Sequence, residues 1–530
     1  MTSRRAPRHA FAPILIAVLL AVLLAVLLGP GPGLAAADAL RAGAAAADGP
    51  AIRHAGGDRP DAATAALRLP APRAARGGGD RPNRPAPPAP RAEPLRLAAD
   101  PGRSAKGSAR GHVVVRFADG VPDWQAEQLV AGLGGRGMRS ARFGEFARVE
   151  VAPGDTAEAL VERLRASGSV AWAETDPLVH AAYSGPASVH AAAASIDDPF
   201  FPRQWHFQRI GLAEALDRNP TGGAGVVVAV LDSGVAFGNG QSFPSRRGVD
   251  LEGTAFVPGF DFIDDDDQPF DEGTGDPGEV RFGHGTFAAS VIAATIDNGL
   301  AGASVAPRVA ILPVRVLDVD GFGTFSDVAE GIRFAVGRGA RVINMSLGGA
   351  GGSTPVAEAV LAAERAGVVL VAAAGNEAED EAFSEELGND VAFPARYPSV
   401  LAVGATAFSD ARAGYSNFGP SLDLVAPGGG DNEFVAEGIR DGVLSTSFLF
   451  DPSTGDALYG GFWATGTSFA APHVAGAAAL LVALGVDDPA AVRDMLELTA
   501  FDLGGRGFDA DTAHGLLDAA AAHRGVGFTF

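Results

Sequence analysis

Val226-Val-Val-Ala-Val-Leu-Asp-Ser-Gly-Val235 is an unbroken apolar run that ends in an aspartate and a glycine. Aliphatic residues without alternation read as a strand buried on both faces, the kind found in a parallel sheet covered by helices. That strand is expected over 225–231. Runs of the same texture follow at 309–316, 342–345, 368–373 and 400–405. Helical spacing marks 284–294, 326–337, 355–366, 468–483 and 489–499 between and after them. Strands alternating with helices predict a three-layer α/β/α domain over 196–530 with a mainly parallel sheet. In such sheets ligands gather at the carboxyl ends of strands, so polar residues there are examined first.

Toward the N-terminus the texture changes. Residues 182–195 form a low-complexity linker. Before it, 112–117 and 146–151 read as strands, 124–133 and 156–166 as helices, and 170–174 as a last short strand. Together these predict a small α+β module over 111–181. Residues 38–110 are mostly Ala, Pro, Arg and Gly, which bury too little apolar area to offset chain entropy, so a disordered linker is expected. Arg4, Arg5 and Arg8 precede an apolar run from Phe11 to Leu28 and the small residues Ala35-Ala-Ala37, the pattern of a secretory signal peptide over 1–37. An uncleaved membrane anchor is the competing reading; Pro13 and the cleavage-like alanines favour the signal. Secretion is expected, without membrane attachment once the signal is removed.

Composition narrows the functions. The chain has 530 residues, 47% of them apolar, enough for a sizeable core beside extra segments. A formal charge of −22 argues against nucleic-acid binding, which needs a basic face. Cysteine is absent, which removes disulfides, thiolate metal sites and a cysteine nucleophile.

Four polar residues stand where the fold would place chemistry. Asp232 ends the first strand, His284 opens a helix within Gly283-His-Gly-Thr286, Asn376 ends Val369-Leu-Val-Ala-Ala-Ala-Gly-Asn376, and Ser468 lies where a polar loop meets a long apolar helix. Each alone reads as a turn or cap residue. Together they supply a nucleophile, a base, a group to orient the base, and a donor for an oxyanion. Ser468 at a helix N-terminus adds a backbone N–H and a favourable dipole.

Asp232-Ser-Gly-Val235, Gly283-His-Gly-Thr286, Ala373-Ala-Gly-Asn376 and Gly466-Thr-Ser-Phe-Ala-Ala-Pro-His-Val-Ala-Gly476, in this order, resemble the subtilisin-like serine proteases. The resemblance implies a serine endopeptidase working through an acyl-enzyme, with Asp232, His284 and Ser468 as triad and Asn376 and Ser468 as oxyanion donors. It implies that 111–181 is an inhibitor-type propeptide, self-cleaved between Ala181 and Ser195. Gly321, Phe322 and Gly323 on one edge and Ser346, Leu347 and Gly348 on the other would sandwich an extended protein or peptide substrate by strand addition. Small residues around Ala373 and Gly375 would leave room for a large apolar side chain before the scissile bond. A monomer is expected.

The family often binds calcium, so structural calcium is a candidate cofactor, with Asp198, Asp250 and Asn298 as ligands; the chemistry needs no metal. The acidic stretch Asp264 to Asp267 with Asp271 and Glu272 reads equally as a solvated turn or a ligand set. The chain departs from the family at Phe287, where a histidine is usual, and packing is expected there. A sedolisin-like acid peptidase would need a glutamate at 284 and an aspartate at 376. A catalytically dead peptide-binding scaffold is argued against by all four filled positions. A dinucleotide site would need its glycines after the first strand, whereas Gly222, Gly223 and Gly225 precede it. A histidine base with an ordinary value of about 6.5 predicts activity rising through neutrality.

Overall fold

The computed structural model describes residues 108–181, 186–187, 196–380, 386–436 and 438–526. All of them fall in one unit, Pro90–Phe530. The expected signal peptide, nearly all of the 38–110 linker and most of 182–195 lie outside the described residues. No described helix is long and apolar enough to cross a membrane.

The N-terminal module comprises β1 (Ser108–Phe117), α1 (Asp123–Gly132), β2 (Gly135–Ser140), β3 (Ala147–Val151), α2 (Ala157–Ala166) and β4 (Val170–Ala181). Its antiparallel sheet has the order β2-β3-β1-β4. Helix α2 starts where Thr156 accepts the Ala159 N–H, and it buries Leu160, Val161 and Leu164 as one stripe against Val113, Val115 and Val149. Nothing in the sequence pattern signals β2, because Gly135-Arg-Gly-Met-Arg-Ser140 lacks apolar alternation; backbone pairing to β3 makes it a strand. β4 does not stop at Glu174, as expected, but runs on to Ala181. Its pairing with β1 ends at Pro177, and Leu178–Ala181 pairs outside the module.

The larger domain contains β5 (Val227–Asp232), β6 (Arg281–Phe282), α3 (His284–Ala293), β7 (Ala310–Arg315), β8 (Phe322–Thr324), α4 (Phe325–Gly337), β9 (Val342–Met345), β10 (Leu347–Gly348), α5 (Thr354–Arg365) and β11 (Val369–Ala373). It continues with β12 (Val400–Thr406), β13 (Leu424–Pro427), β14 (Val443–Asp451), β15 (Asp456–Ala464), α6 (Thr467–Ala483) and α7 (Pro489–Thr499). The central sheet runs β13-β12-β11-β9-β5-β7, every pair parallel. Alternate residues of β5 face opposite layers: Val228 and Val230 join the core with α3 and α6, Ala229 and Leu231 the core with α4 and α5. This is the three-layer α/β/α architecture expected. The sequence reading omits β13 and the long antiparallel hairpin β14–β15, whose first strand also pairs with β6 just ahead of His284. Phe287 packs as expected, fully buried with its ring 4.5 Å from that of Phe469.

Helix α6 is buried from Thr467 to Val482, so its polar residues need internal partners. His473 donates from Nδ1 to the Phe469 carbonyl at 2.7 Å and accepts at Nε2 from His206 Nδ1 at 2.8 Å. His206 Nε2 in turn accepts the Leu444 N–H. With Nδ1 donating and Nε2 accepting, His473 is satisfied only as the neutral ring, while His206 Nε2 also lies 3.1 Å from the Leu444 carbonyl. Burial lowers both, His473 to about 4. The unfolded rings take up protons near about 6.5 and the folded ones do not, so stability is present above that value and lost as pH falls toward 4. His473 alone is worth on the order of 3 kcal/mol across that window. The midpoint of thermal unfolding is therefore expected to drop between pH 7 and 4.5, and His473→Gln to flatten that drop while lowering the pH 7 value. A variant with the parental slope would remove this ring from the account.

Candidate active site

The parallel sheet delivers Asp232 at the end of β5 and Asn376 just past β11, while α3 and α6 start with His284 and Thr467-Ser468. Asp232, His284 and Ser468 are all fully buried. Asp232 Oδ1 accepts from His284 Nδ1 at 2.7 Å and from the Ser233 N–H at 2.7 Å, which fixes the tautomer with the proton on Nδ1. The Ser468 hydroxyl donates to the Ser346 carbonyl at 2.8 Å.

Ser346 returns that contact. Pro472 lies inside α6 and has no N–H for the Ser468 carbonyl, four residues earlier. The Ser346 hydroxyl donates to that carbonyl at 2.7 Å. Asn376 is oriented just as firmly: its Oδ1 accepts from the Thr467 N–H at 3.0 Å and the Thr467 hydroxyl at 2.8 Å. That leaves the Asn376 Nδ2 buried and without a hydrogen-bond partner. Gly375, at φ +103°, allows this turn, since a Cβ there would lie 2.3 Å from Asn417 Nδ2.

The two predicted cleft edges are filled by the chain's own β4. Leu178, Val179 and His180 pair antiparallel with Thr324, Gly323 and Phe322 of β8, and the Ala181 N–H donates to the Gly321 carbonyl at 3.1 Å. On the other side, His180 and Ala181 pair with Gly348 and Leu347 of β10. A Cβ on Gly323 would sit 1.9 Å from the Val316 carbonyl oxygen, so this edge requires glycine. Ala373 ends β11 beside these segments, buried.

Sequence reasoning missed the residues that hold the module in place. Glu174 accepts from the Thr354 N–H at 2.9 Å and the Thr354 hydroxyl at 2.8 Å, at the N-terminus of α5. Asp176 accepts from the Ser326 N–H at 3.2 Å and the Ser326 hydroxyl, in the first turn of α4. Burial pushes Asp176 up to about 6, against the Ser326 hydroxyl bond and Arg148, which lower it. In the reverse sense Glu330 of α4 takes the Arg142 and Phe143 N–H groups. The Phe143 ring lies against Phe260, Phe262 and Phe334, the last at 5.2 Å. The signal was present in part: Glu174 and Asp176 are acids two apart on a strand, a spacing that puts both on one face.

The metal candidates meet on one loop. Asp198 accepts from the Asp297 and Asn298 N–H groups at 2.8 and 3.1 Å, and Asp250 from Asn298 Nδ2 and the Gly302 N–H at 2.7 and 3.0 Å. Burial raises Asp198, and raises Asp250 to about 7, with Asp198 adding to the latter. Asp197, Asp198 and Asp297 form the group whose carboxylates come within 4.8 Å of one another. Asn298 turns its side-chain oxygen to the Leu300 N–H. The acidic stretch does not act as one cluster. Asp264 and Glu272 pair with Arg315, Asp265 with Arg139 and Arg142 of the N-terminal module, while Asp271 is fully buried.

Comparison with known proteins agrees with this geometry. The model of the Subtilase family matches residues 223–518, and that of the Fervidolysin N-terminal prodomain matches 99–176. Subtilisin NAT of Bacillus subtilis subsp. natto is 34% identical over 361 residues, 68% of this chain and 78% of that protein. Thermitase of Thermoactinomyces vulgaris is 35% identical over 313 residues, 59% of this chain and 93% of its own. Among solved structures, fervidolysin from Fervidobacterium pennivorans, described as a keratinolytic enzyme related to subtilisin, superposes with a TM-score of 0.62 at 25% identity, covering 79% of this chain and 61% of that one.

Proposed function

Since this chain belongs to the subtilase family of serine endopeptidases and carries a prodomain, we propose that Ser468 is its nucleophile, His284 the base, Asp232 the group that orients the base, and Asn376 an oxyanion donor. We further propose that it is secreted and cuts its own chain. The observation that carries this reading is the β4 segment Leu178–Ala181 held between β8 and β10, the latter directly following Ser346, whose carbonyl accepts from the Ser468 hydroxyl.

The residues divide the work as follows. The Ser468 hydroxyl leaves the Ser346 carbonyl and gives its proton to His284 Nε2 as Oγ attacks the peptide carbonyl. Asp232 holds the Nδ1 proton and stabilises the imidazolium that forms. The developing oxyanion takes the partnerless Asn376 Nδ2–H and a first-turn amide of α6, which has no acceptor inside the helix. His284 then protonates the leaving amine, and water returns by the same route to open the acyl-enzyme. Substrates bind chiefly through backbone, which suits broad specificity, and Gly375 and its neighbours leave space for a large apolar side chain.

Register supports a proposed position for the self-cut. Leu347 stands opposite Ala181, and Ser346, whose carbonyl holds the nucleophile, comes next in the antiparallel count. The cut is expected after Ala182, one residue beyond the described strand. Calcium, if bound, would be held by Asp198 and Asp250, with Asp197 and Asp297 close to the former. Two carboxylates raised chiefly by burial, with repulsion from neighbouring acids adding to it, are the chemistry a hard cation relieves. The cation would stabilise the loop and take no part in catalysis.

Intact mass of secreted protein tests the maturation: the wild-type product is expected to begin at Tyr183 and Ser468→Ala to keep its N-terminal module. Equal processing of both would assign the cut to another protease. Asn376→Ala is expected to lower kcat about 10–100-fold, the worth of a hydrogen bond to a charged group, with KM little changed. A KM effect alone would place Asn376 in substrate binding instead. Chelator is expected to lower the unfolding temperature more at pH 8 than at pH 6, because Asp250 must ionise to bind a cation. A chelator without effect at pH 8 rules out the calcium site.

A further inference from the structure

Asp271 is set apart within the acidic stretch, whose other members lie at or near the surface. It is fully buried, and four donors converge on it. Oδ1 accepts from the Ser233 hydroxyl at 3.0 Å and the Gly273 N–H at 2.9 Å. Oδ2 accepts from the Thr286 N–H at 2.9 Å and the Thr286 hydroxyl at 2.7 Å. Its partners flank the catalytic pair: Ser233 follows Asp232, and Thr286 is two residues beyond His284. Ser233 also accepts the Gly285 N–H at 3.0 Å, so one hydroxyl joins Asp271 to the residue after His284. Thr286 does the same on its side, accepting the Ala236 N–H at 2.9 Å.

The backbone here leaves no room for slippage. A Cβ on Gly285 would lie 2.2 Å from the Gly234 carbonyl oxygen and 2.9 Å from the Asp232 Cβ. A Cβ on Gly234, at φ +101°, would lie 2.6 Å from the Phe270 carbonyl oxygen and 2.8 Å from the Asp271 nitrogen. The Asp232 turn, the Asp271 turn and the first turn of α3 are thus stacked backbone to backbone. Besides the His284–Asp232 hydrogen bond and the backbone bond from the Val235 N–H to the Pro269 carbonyl at 3.1 Å, the carboxylate and the two hydroxyls tie the three turns together.

We propose that Asp271 is a positioning residue for the catalytic reaction: its buried negative charge locks the first turn of α3 onto the Asp232 turn and supports the positive charge that His284 acquires. This rests on the reading of Asp232 and His284 given above. The donor set demands the ionised form, because a protonated carboxyl would turn an O–H toward donors. Burial, with a smaller contribution from Asp232, pushes Asp271 up to about 6, and the hydrogen bonds from Thr286 and Gly273 oppose that shift. The other titratable neighbour is Tyr459 of β15, raised to about 12 by burial, with Arg246 over its ring. Glu272 turns away to Arg315.

Asp271→Asn keeps the shape but faces two of the donors with an NH2 group. Expected are a kcat lowered on the order of 10–100-fold with KM little changed, and an acid limb of kcat/KM moved to lower pH by roughly half a unit, since a carboxylate that favoured the imidazolium is gone. Ser233→Ala, which keeps the charge and drops the bonds to Asp271 and to the Gly285 N–H, should lower kcat with the limb in place, and it reports on positioning if the first variant fails to fold. The proposal is overturned by an Asp271→Asn enzyme whose acid limb stays where it was, or by parental kcat in Ser233→Ala. His284→Ala in the same assay separates the two levels: activity surviving there would sink the triad assignment itself.

Discussion

A proline in a buried helix sets the constraint on which this site depends. Pro472 cannot donate to the Ser468 carbonyl, and α6 is enclosed by protein, so no water is at hand to do so. The Ser346 hydroxyl fills the role, and by doing so pins the start of α6 to the end of β9. Thr467 then fixes Asn376 beyond β11 with two hydrogen bonds. Helix α6 is thereby indexed to two adjacent parallel strands. The third strand, β5, places Asp232 in the same row, because β9 pairs with both neighbours in register.

This explains which parts of the fold were legible. Strands buried on both faces must be apolar at every position, so β5, β7, β9, β11 and β12 are recognisable to within about two residues. The helices over them are fixed by the same demand. The β14–β15 hairpin escaped because its polar residues, such as Ser445 and Ser447, are buried for a local reason: the Ser447 hydroxyl donates to the Gly283 carbonyl. β2 escaped because neither face carries an apolar pattern. In both cases the partner strand, remote in sequence, decides the conformation.

The residues proposed for catalysis stand out in the sequence because chemistry restricts residue types more tightly than packing does, and each lies at or near a strand or helix end. Their supports do not. Glu174, Asp176 and Glu330 gain meaning only once two modules face each other, and Asp271 only once Gly234 and Gly285 are seen to touch. Read along the chain, Asp271 belongs with five other acids that lie at or near the surface. Burial alone separates it from them, and burial is a property of the fold.

The contact between the N-terminal module and the larger domain is therefore built from unlike parts. Phe143 among three other phenylalanines is an apolar anchor insensitive to pH. Glu174 and Asp176 instead place carboxylates on the first turns of α5 and α4, where unsatisfied N–H groups and the helix dipole favour negative charge. For Asp176 desolvation outweighs that gain: its carboxyl is raised to about 6 in the closed arrangement, above the ordinary value of about 3.9. A group raised on burial opposes closure progressively as pH climbs through that interval and holds the penalty above it. The module consequently sits on the cleft with part of its polar contact working against it at neutral pH, and covalent attachment through β4 offsets that deficit while the chain is whole. Breaking the chain beyond Ala181 removes the tether and leaves the anchor and the strand pairing to hold alone.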